Sequence, residues 1–133
     1  MPFVLGSKSL AKLNGVHPDL VKVVKAAIQL SEVDFTVLEG LRTLTRQKQL
    51  LAAGATKTLN SRHLTGHAVD LGALIGGTVR WDWPLYYRIA AAMKKAAADL
   101  GIPVEWGGEC FGPKFKDGPH YQLPWKSYPA KGA

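Results

Sequence analysis

Cysteine is almost absent from this chain, which has Cys110 as its single thiol in 133 residues. One cysteine excludes an intramolecular disulfide and any structural zinc site built from several cysteines. Nothing beside Cys110 in the sequence is of the kind that lowers a thiol pKa. We therefore interpret Cys110 as a small loop side chain and prefer this to the alternative, a catalytic nucleophile.

Long apolar runs and a basic leader are absent as well. No apolar stretch approaches the roughly 20 residues that a transmembrane helix needs, so we predict no membrane insertion. Residues 1–6 contain neither a basic segment nor a long apolar one, so we predict no signal peptide and synthesis in a cytoplasm.

Clusters of basic residues are also lacking, although the chain is basic overall. Its 17 Lys and Arg against 10 Asp and Glu give a net charge of +7, which favours a polyanionic partner such as nucleic acid, anionic lipid or an anionic cell wall. No basic block is longer than a pair, and none is interleaved with aromatic residues as in nucleic-acid binding motifs. We therefore expect no specific nucleic-acid ligand.

The composition, 47% hydrophobic and 20% charged, is typical of a soluble globular protein. The length predicts one domain spanning residues 1–133, and we expect a monomer. Apolar periodicity predicts a helix over residues 17–30 and a longer one over residues 82–100. The other predicted elements are a short helix over residues 43–51 and strands over residues 33–38, 68–75, 104–106 and 120–123. Because these elements mix without βαβ regularity, we predict an α+β fold, a small antiparallel sheet with helices packed on it.

Two segments concentrate imidazole and carboxylate groups, residues 61–70 and residues 117–120. His63, Asp70 and His120 would make a three-ligand zinc set that leaves one position open for water, as in hydrolytic zinc sites. The same side chains can also be unrelated polar residues that satisfy loops and caps. The spacing alone leaves both interpretations open.

The neighbours of these residues suit convergence on a metal. Gly66 permits the turn that returns a loop holding His63 towards a strand holding Asp70. On that strand Ala68 and Gly72 share the side of Asp70 and leave room for an ion.

His67 competes with the proposed ligands. His63 and His67 have the spacing of the zincin motif His-Glu-x-x-His, but Leu64 stands where that motif has its glutamate, and Gly66 is a poor helix residue. We therefore interpret His67 as a pocket wall or a surface residue.

The pattern Ser-x-His-x-x-Gly-x-Ala-x-Asp over residues 61–70 resembles the signature of the D-alanyl-D-alanine peptidase group of zinc enzymes. That group belongs with lysostaphin and the hedgehog amino-terminal domain in one superfamily. Residues 39–43, 106–108 and 117–123 resemble, in the same order, its Gly-Tyr-Arg-Ser, Trp-Gly-Gly and Asp-x-x-His blocks. Within the group, the chain is similar to phage endolysins that cut between L-alanine and D-glutamate in peptidoglycan stem peptides.

The resemblance implies Zn²⁺ on His63, Asp70 and His120, with Asp117 as general base. It also implies that Arg42 holds the substrate's carbonyl oxygen or a substrate carboxylate. The alternative for Arg42 is a surface ion pair with the glutamate three residues earlier.

Three further residues are expected around the site. Ser61 is expected to orient a ligand or its loop, and His67 and Trp106 to line the cleft, although Trp106 also suits a core position. The sequence departs from the family at Leu41, where tyrosine is common, and in residues 109–111, where an acidic-Trp pair is usual. These departures leave fine substrate specificity open.

The expected function is that of an endolysin made in the host cytoplasm and acting on the cell wall in the periplasm, with peptidoglycan as its substrate. The alternative within the enzyme class is a D,D-carboxypeptidase that removes terminal D-alanine from peptidoglycan peptides. A non-catalytic binding module, which would lack the base at Asp117, and a basic nucleic-acid binder are the alternatives from other classes.

Overall fold

The computed structural model describes residues 3–54, 61–110 and 116–129. Phe111, at one of the departures from the family pattern, lies outside them. The helices are α1 (Ser7–Lys12), α2 (Pro18–Leu30), α3 (Leu44–Ala52) and α4 (Trp83–Leu100), and a single 3₁₀ turn covers Arg62–Thr65. The strands are β1 (Asp34–Glu39), β2 (Ala68–Ile75), β3 (Thr78–Arg80), β4 (Glu105–Trp106) and β5 (His120–Gln122). The predicted α+β fold is confirmed, and each predicted element lies within one residue of its observed bounds.

The helix ends follow from local chemistry. The Nδ1 atom of His17 accepts the backbone N–H of Asp19, and Pro18 occupies the first turn of α2. At α3 the Thr43 hydroxyl accepts the N–H of Arg46 and so caps the start of the helix. Helix α4 ends at Gly101, whose φ of 68° is the left-handed conformation that glycine adopts without strain.

The sheet is antiparallel throughout its described pairings, with strand order β1-β2-β5-β4 and β3 paired to the other end of β2. Two registers matter for the site. Asp70 on β2 lies opposite His120 on β5, and Gln122 on β5 lies opposite Glu105 on β4. Because side chains alternate along a strand, His120 and Gln122 share one face of the sheet, and Tyr121 lies on the other.

One face of the sheet packs against the helices. Buried side chains from alternate strand positions meet helices α2 and α4 there in one apolar core: Phe35, Val37, Val69, Leu71, Ala73 and Tyr121 from the strands, and Leu20, Val24, Ile89 and Met93 from the helices. The intervening positions of β2 and β5 therefore project from the opposite face, where Asp70 and His120 lie.

Helix α1, strand β3 and the 3₁₀ turn are additions to the predicted elements. Strand β3 follows β2 through a two-residue turn, Gly76-Gly77, whose φ values of 59° and 81° are typical of tight hairpins. Among the described residues, no helix is both long and apolar enough to cross a membrane.

Candidate metal centre

Three side chains from distant parts of the sequence converge on the face of the sheet opposite helices α2 and α4. The Oδ1 atom of Asp70 lies 3.2 Å from Nε2 of His63 and 3.3 Å from Nδ1 of His120. All three donor atoms lie within 4.8 Å of one another, and the two histidine rings meet edge to face. This buried His-Asp-His group could hold a metal ion, and it consists of the three residues predicted from the sequence as zinc ligands.

His63 is held by the turn on which it lies. The Ser61 hydroxyl accepts the backbone N–H of His63, and Gly66, at φ 75°, ends the turn. A Cβ atom at position 66 would lie 2.3 Å from the carbonyl oxygen of Gly15, so glycine is required there for two reasons. The Nδ1 atom of His63 lies 2.8 Å from the carbonyl oxygen of Gly40. Because a carbonyl only accepts, Nδ1 carries the ring proton, and the Nε2 lone pair faces Asp70.

Strand pairing places the other two side chains of the group. Because Asp70 and His120 are partners across β2 and β5, their side chains leave the sheet side by side. Burial opposes ionisation of Asp70, but its close contacts with the His120 and His63 rings outweigh it and hold the pKa of this carboxyl well below its usual range. Burial also opposes a charge on His120, but the nearby Asp70 carboxylate raises its pKa. The group is therefore built around a carboxylate anion.

Arg42 lies next to the group and is nearly buried, with 8% of its side chain exposed. Its guanidinium donates two hydrogen bonds of 2.7 Å to the Glu39 carboxylate and one of 2.7 Å to Oε1 of Gln47. Its Nη2 atom also lies 3.9 Å from Oδ2 of Asp70. The ion pair with Glu39 therefore exists, but it is not a surface pair, since it fixes the cation beside the Asp70 carboxylate.

Asp117 approaches from the turn that leads into β5. Its backbone N–H donates to Gly107, and its carbonyl accepts the N–H of His120. A Cβ atom at position 107 would lie 2.4 Å from the Asp117 carbonyl oxygen, so glycine lets this turn pack against the end of β4. Burial and the neighbouring charge of Asp70 raise the pKa of the Asp117 carboxyl, while His120, His63 and Arg42 partly offset the rise. A carboxyl with a raised pKa beside a metal site is suited to proton transfer.

Trp106 lies on the helix side of the sheet. Only 4% of it is exposed, its ring stacks on Tyr121, and its indole N–H donates a 2.7 Å hydrogen bond to the carbonyl of Gly118. Trp106 therefore occupies a core position, the alternative to lining the cleft. Its indole also stabilises the turn between Asp117 and His120.

His67 makes its described contacts outside the His-Asp-His group. Only 8% of it is exposed, its Nδ1 atom is 2.6 Å from the Thr65 hydroxyl, and its ring packs near His17 and Tyr128. Its burial rules out the surface alternative, and its described contacts are with these residues and not with the His-Asp-His group.

Two other expectations from the sequence concern Gly72 and Cys110. A Cβ atom on Gly72 would lie 3.0 Å from both Leu38 and Val79, so the missing side chain makes room for apolar packing and not for an ion. Cys110 is half-buried, and burial raises the pKa of its thiol to about 11, which agrees with an unreactive loop residue.

Residues behind the ligands were not found by sequence reasoning. The Nε2 atom of His120 lies 2.8 Å from Oε1 of Gln122, whose amide nitrogen donates 3.1 Å to Glu105. Gln122 could have been found, since it is two residues from His120 on a predicted strand and so shares its face. Glu105 and Gln47 carry no such signal, because their places depend on strand register and on the packing of α3.

Comparison with known proteins agrees with this geometry. Residues 1–123 match the family model of phage L-alanyl-D-glutamate peptidases. The chain belongs to the phage L-alanyl-D-glutamate peptidase family. This match covers every site residue described above and confirms the family resemblance seen in the sequence.

Individual relatives carry the same description. The chain is 34% identical over 113 residues to the L-alanyl-D-glutamate peptidase of Escherichia phage T5, covering 82% of each protein. It is 32% identical over 125 residues to that of Listeria phage A118, covering 92% of this chain and 43% of the other. Its fold matches the crystal structure of the Serratia marcescens L-Ala D-Glu endopeptidase ChiX with a TM-score of 0.88, at 50% identity over 96% of this chain and 95% of that one.

Proposed function

We propose that this protein is an endolysin that hydrolyses the L-alanyl-D-glutamate bond of peptidoglycan stem peptides with a zinc ion on His63, Asp70 and His120. Family membership supports the substrate, and the convergence of the three donor atoms carries the proposal. The positive charge of +7 favours encounter with anionic polymers of the cell wall.

The donor set fits zinc. Two neutral imidazoles and one carboxylate are the ligand types of catalytic zinc sites, which keep a fourth position open. A tetrahedral ion with bonds of about 2.0–2.1 Å holds its ligand atoms about 3.4 Å apart. The separations of 3.2 Å and 3.3 Å between Asp70 and the two histidines are close to that value.

The residues of the chain divide the chemistry among them. A zinc ion bound here supplies Lewis-acid catalysis of amide hydrolysis. Asp117 accepts the proton of the attacking water and passes it to the leaving amine, for which its raised pKa is suited. Arg42 keeps a fixed positive charge beside Asp70, where it can bind a carbonyl oxygen or a carboxylate of the substrate.

Digestion of purified muropeptides tests the proposal. The expected product has D-glutamate as its new amino terminus, its formation stops when a chelator removes the metal, and added Zn²⁺ restores it. Release of free D-alanine instead would favour the D,D-carboxypeptidase alternative. Wall binding without any cleavage by the zinc-loaded protein would contradict an enzymatic role and favour a binding module.

A further inference from the structure

The partner that holds the ring proton differs between His63 and His120. Each imidazole must present a bare nitrogen to the metal and so must carry its proton on the other nitrogen. For His63 the acceptor of that proton is the backbone carbonyl of Gly40, whose character cannot change. For His120 the acceptor is a side-chain amide, that of Gln122, at 2.8 Å from Nε2. An amide can present either its oxygen or its NH₂ group, and only the oxygen accepts a hydrogen bond from a ring N–H.

The orientation of the Gln122 amide matters because of Asp70. Its Oδ1 atom lies 3.3 Å from Nδ1 of His120 and accepts a hydrogen bond if the ring proton is there. That tautomer blocks the nitrogen that faces the metal. An acceptor on the Nε2 side is therefore needed to hold the proton away from Nδ1.

Glu105 decides which way the amide of Gln122 points. The two residues are partners across β4 and β5, and the amide nitrogen of Gln122 donates a 3.1 Å hydrogen bond to Oε1 of Glu105. A carboxylate only accepts, so it attracts the NH₂ group and turns the amide oxygen towards His120. Gln122 is 6% exposed, so water competes little for either end of its amide.

We propose that Glu105 and Gln122 are positioning residues that fix the tautomer of His120 for metal binding. The inference rests on the proposed zinc site and deepens it. The carboxylate of Glu105 sets the orientation of the Gln122 amide, and the amide sets which nitrogen of the His120 ring carries the proton. We call these two hydrogen bonds the relay. Partners behind metal-binding histidines typically change metal affinity by about 10–100-fold when they are mutated.

Zinc affinity, measured by competition with a chelator, tests the proposal without reference to activity. Gln122→Met removes the acceptor at similar size, and we expect about 10–100-fold weaker zinc binding. Glu105→Lys replaces an acceptor by a donor, turns the amide around, and should weaken zinc binding within the same range. Glu109→Lys is the matched control, because it makes the same charge change away from the relay. Glu109 is exposed and is paired with Lys94.

A second measurement separates orientation from charge and from folding. In zinc-saturated protein the His120 Nε2 proton should exchange slowly with water, by NMR, in wild type and in Glu109→Lys. It should exchange faster in Glu105→Lys and Gln122→Met. Melting temperatures in the presence of chelator check that each variant is folded.

The outcomes distinguish the two proposals. If the wild type binds zinc tightly and cleaves its substrate, while Glu105→Lys binds zinc no more weakly than Glu109→Lys, the relay is wrong and the proposed function stands. If the wild type binds no zinc at all, both proposals fall.

Discussion

The two faces of the sheet are built from alternate residues of the same strands but obey different chemistry. On the helix side, Leu71 and Tyr121 are each 1% exposed and pack in a continuous apolar core. On the other side their immediate neighbours, Asp70 and His120, belong to a chain of hydrogen bonds. Burial on the helix side stabilises the fold by removing apolar area from water.

The polar side gains little from such burial, because ionised and hydrogen-bonded groups lose their hydration there. Its arrangement is thus explained by what it can bind. We expect substitutions on the polar face to remove function at small cost in stability, and substitutions on the apolar face to do the reverse.

The largest expected effect comes from removing a ligand on the polar face. His120→Ala leaves two donors, so the protein should lose stoichiometric zinc and all measurable peptidoglycan cleavage. Metal content after dialysis and muropeptide digestion measure both. A variant that keeps one zinc per chain would contradict the ligand assignment.

Asp117→Asn should have the next largest effect. The amide keeps the shape of the side chain but cannot take a proton, so cleavage should fall by about 10²–10⁴-fold. Zinc content and melting temperature should stay near those of the wild type, which separates this variant from His120→Ala. Cleavage at the wild-type rate would remove Asp117 as the base.

On the apolar face, Leu71→Ala should reverse the pattern. Truncating a buried leucine costs about 2–5 kcal/mol, because transfer energy is lost and a cavity remains. Chemical denaturation in the presence of zinc measures this cost. Zinc affinity and cleavage at a temperature well below the lowered melting point should remain close to wild type. Loss of zinc in the folded variant would show that the two faces are not separable.

The same contrast explains how much of the molecule follows from its sequence. Elements with clear periodicity, such as α4, were predictable because they depend on local spacing. For residues 61–70 the spacing left metal binding open, and the family resemblance of that segment implied the ligand set. The hairpin to β3 has a local signal too, the Gly76-Gly77 pair, although β3 is not among the predicted strands.

Contacts made across the fold were not predictable. Gly40 lies 23 residues before His63, and Glu105 lies 17 residues before Gln122, and neither pair has a local pattern. Their partnership depends on which strands become neighbours and in what register. The residues behind the ligands are therefore where the structure adds most to the sequence.

The pH dependence of stability tests whether His67, a histidine within residues 61–70, contributes to the fold. Burial, with the charges of Arg62 and His17, lowers its pKa from 6.5. The unfolded chain then binds more protons than the folded one just below pH 6.5, so stability falls as the pH falls through that range. In His67→Gln, the loss of zinc-saturated stability between about pH 7 and pH 5 should be smaller than in wild type. An identical pH dependence in the two proteins would contradict this role.

The smallest effect is expected at an ion pair that belongs to neither face. Lys95 and Asp99, 3.4 Å apart on α4, have side chains 65% and 57% exposed. Exposed pairs at this spacing contribute about 0.3–0.5 kcal/mol, and salt screens them. Lys95→Gln, which keeps helix propensity, should therefore change the free energy of unfolding by at most about 0.5 kcal/mol at low salt and less at high salt. Zinc affinity and cleavage should not change, and a larger response would mean that the outer surface of α4 is coupled to the sheet.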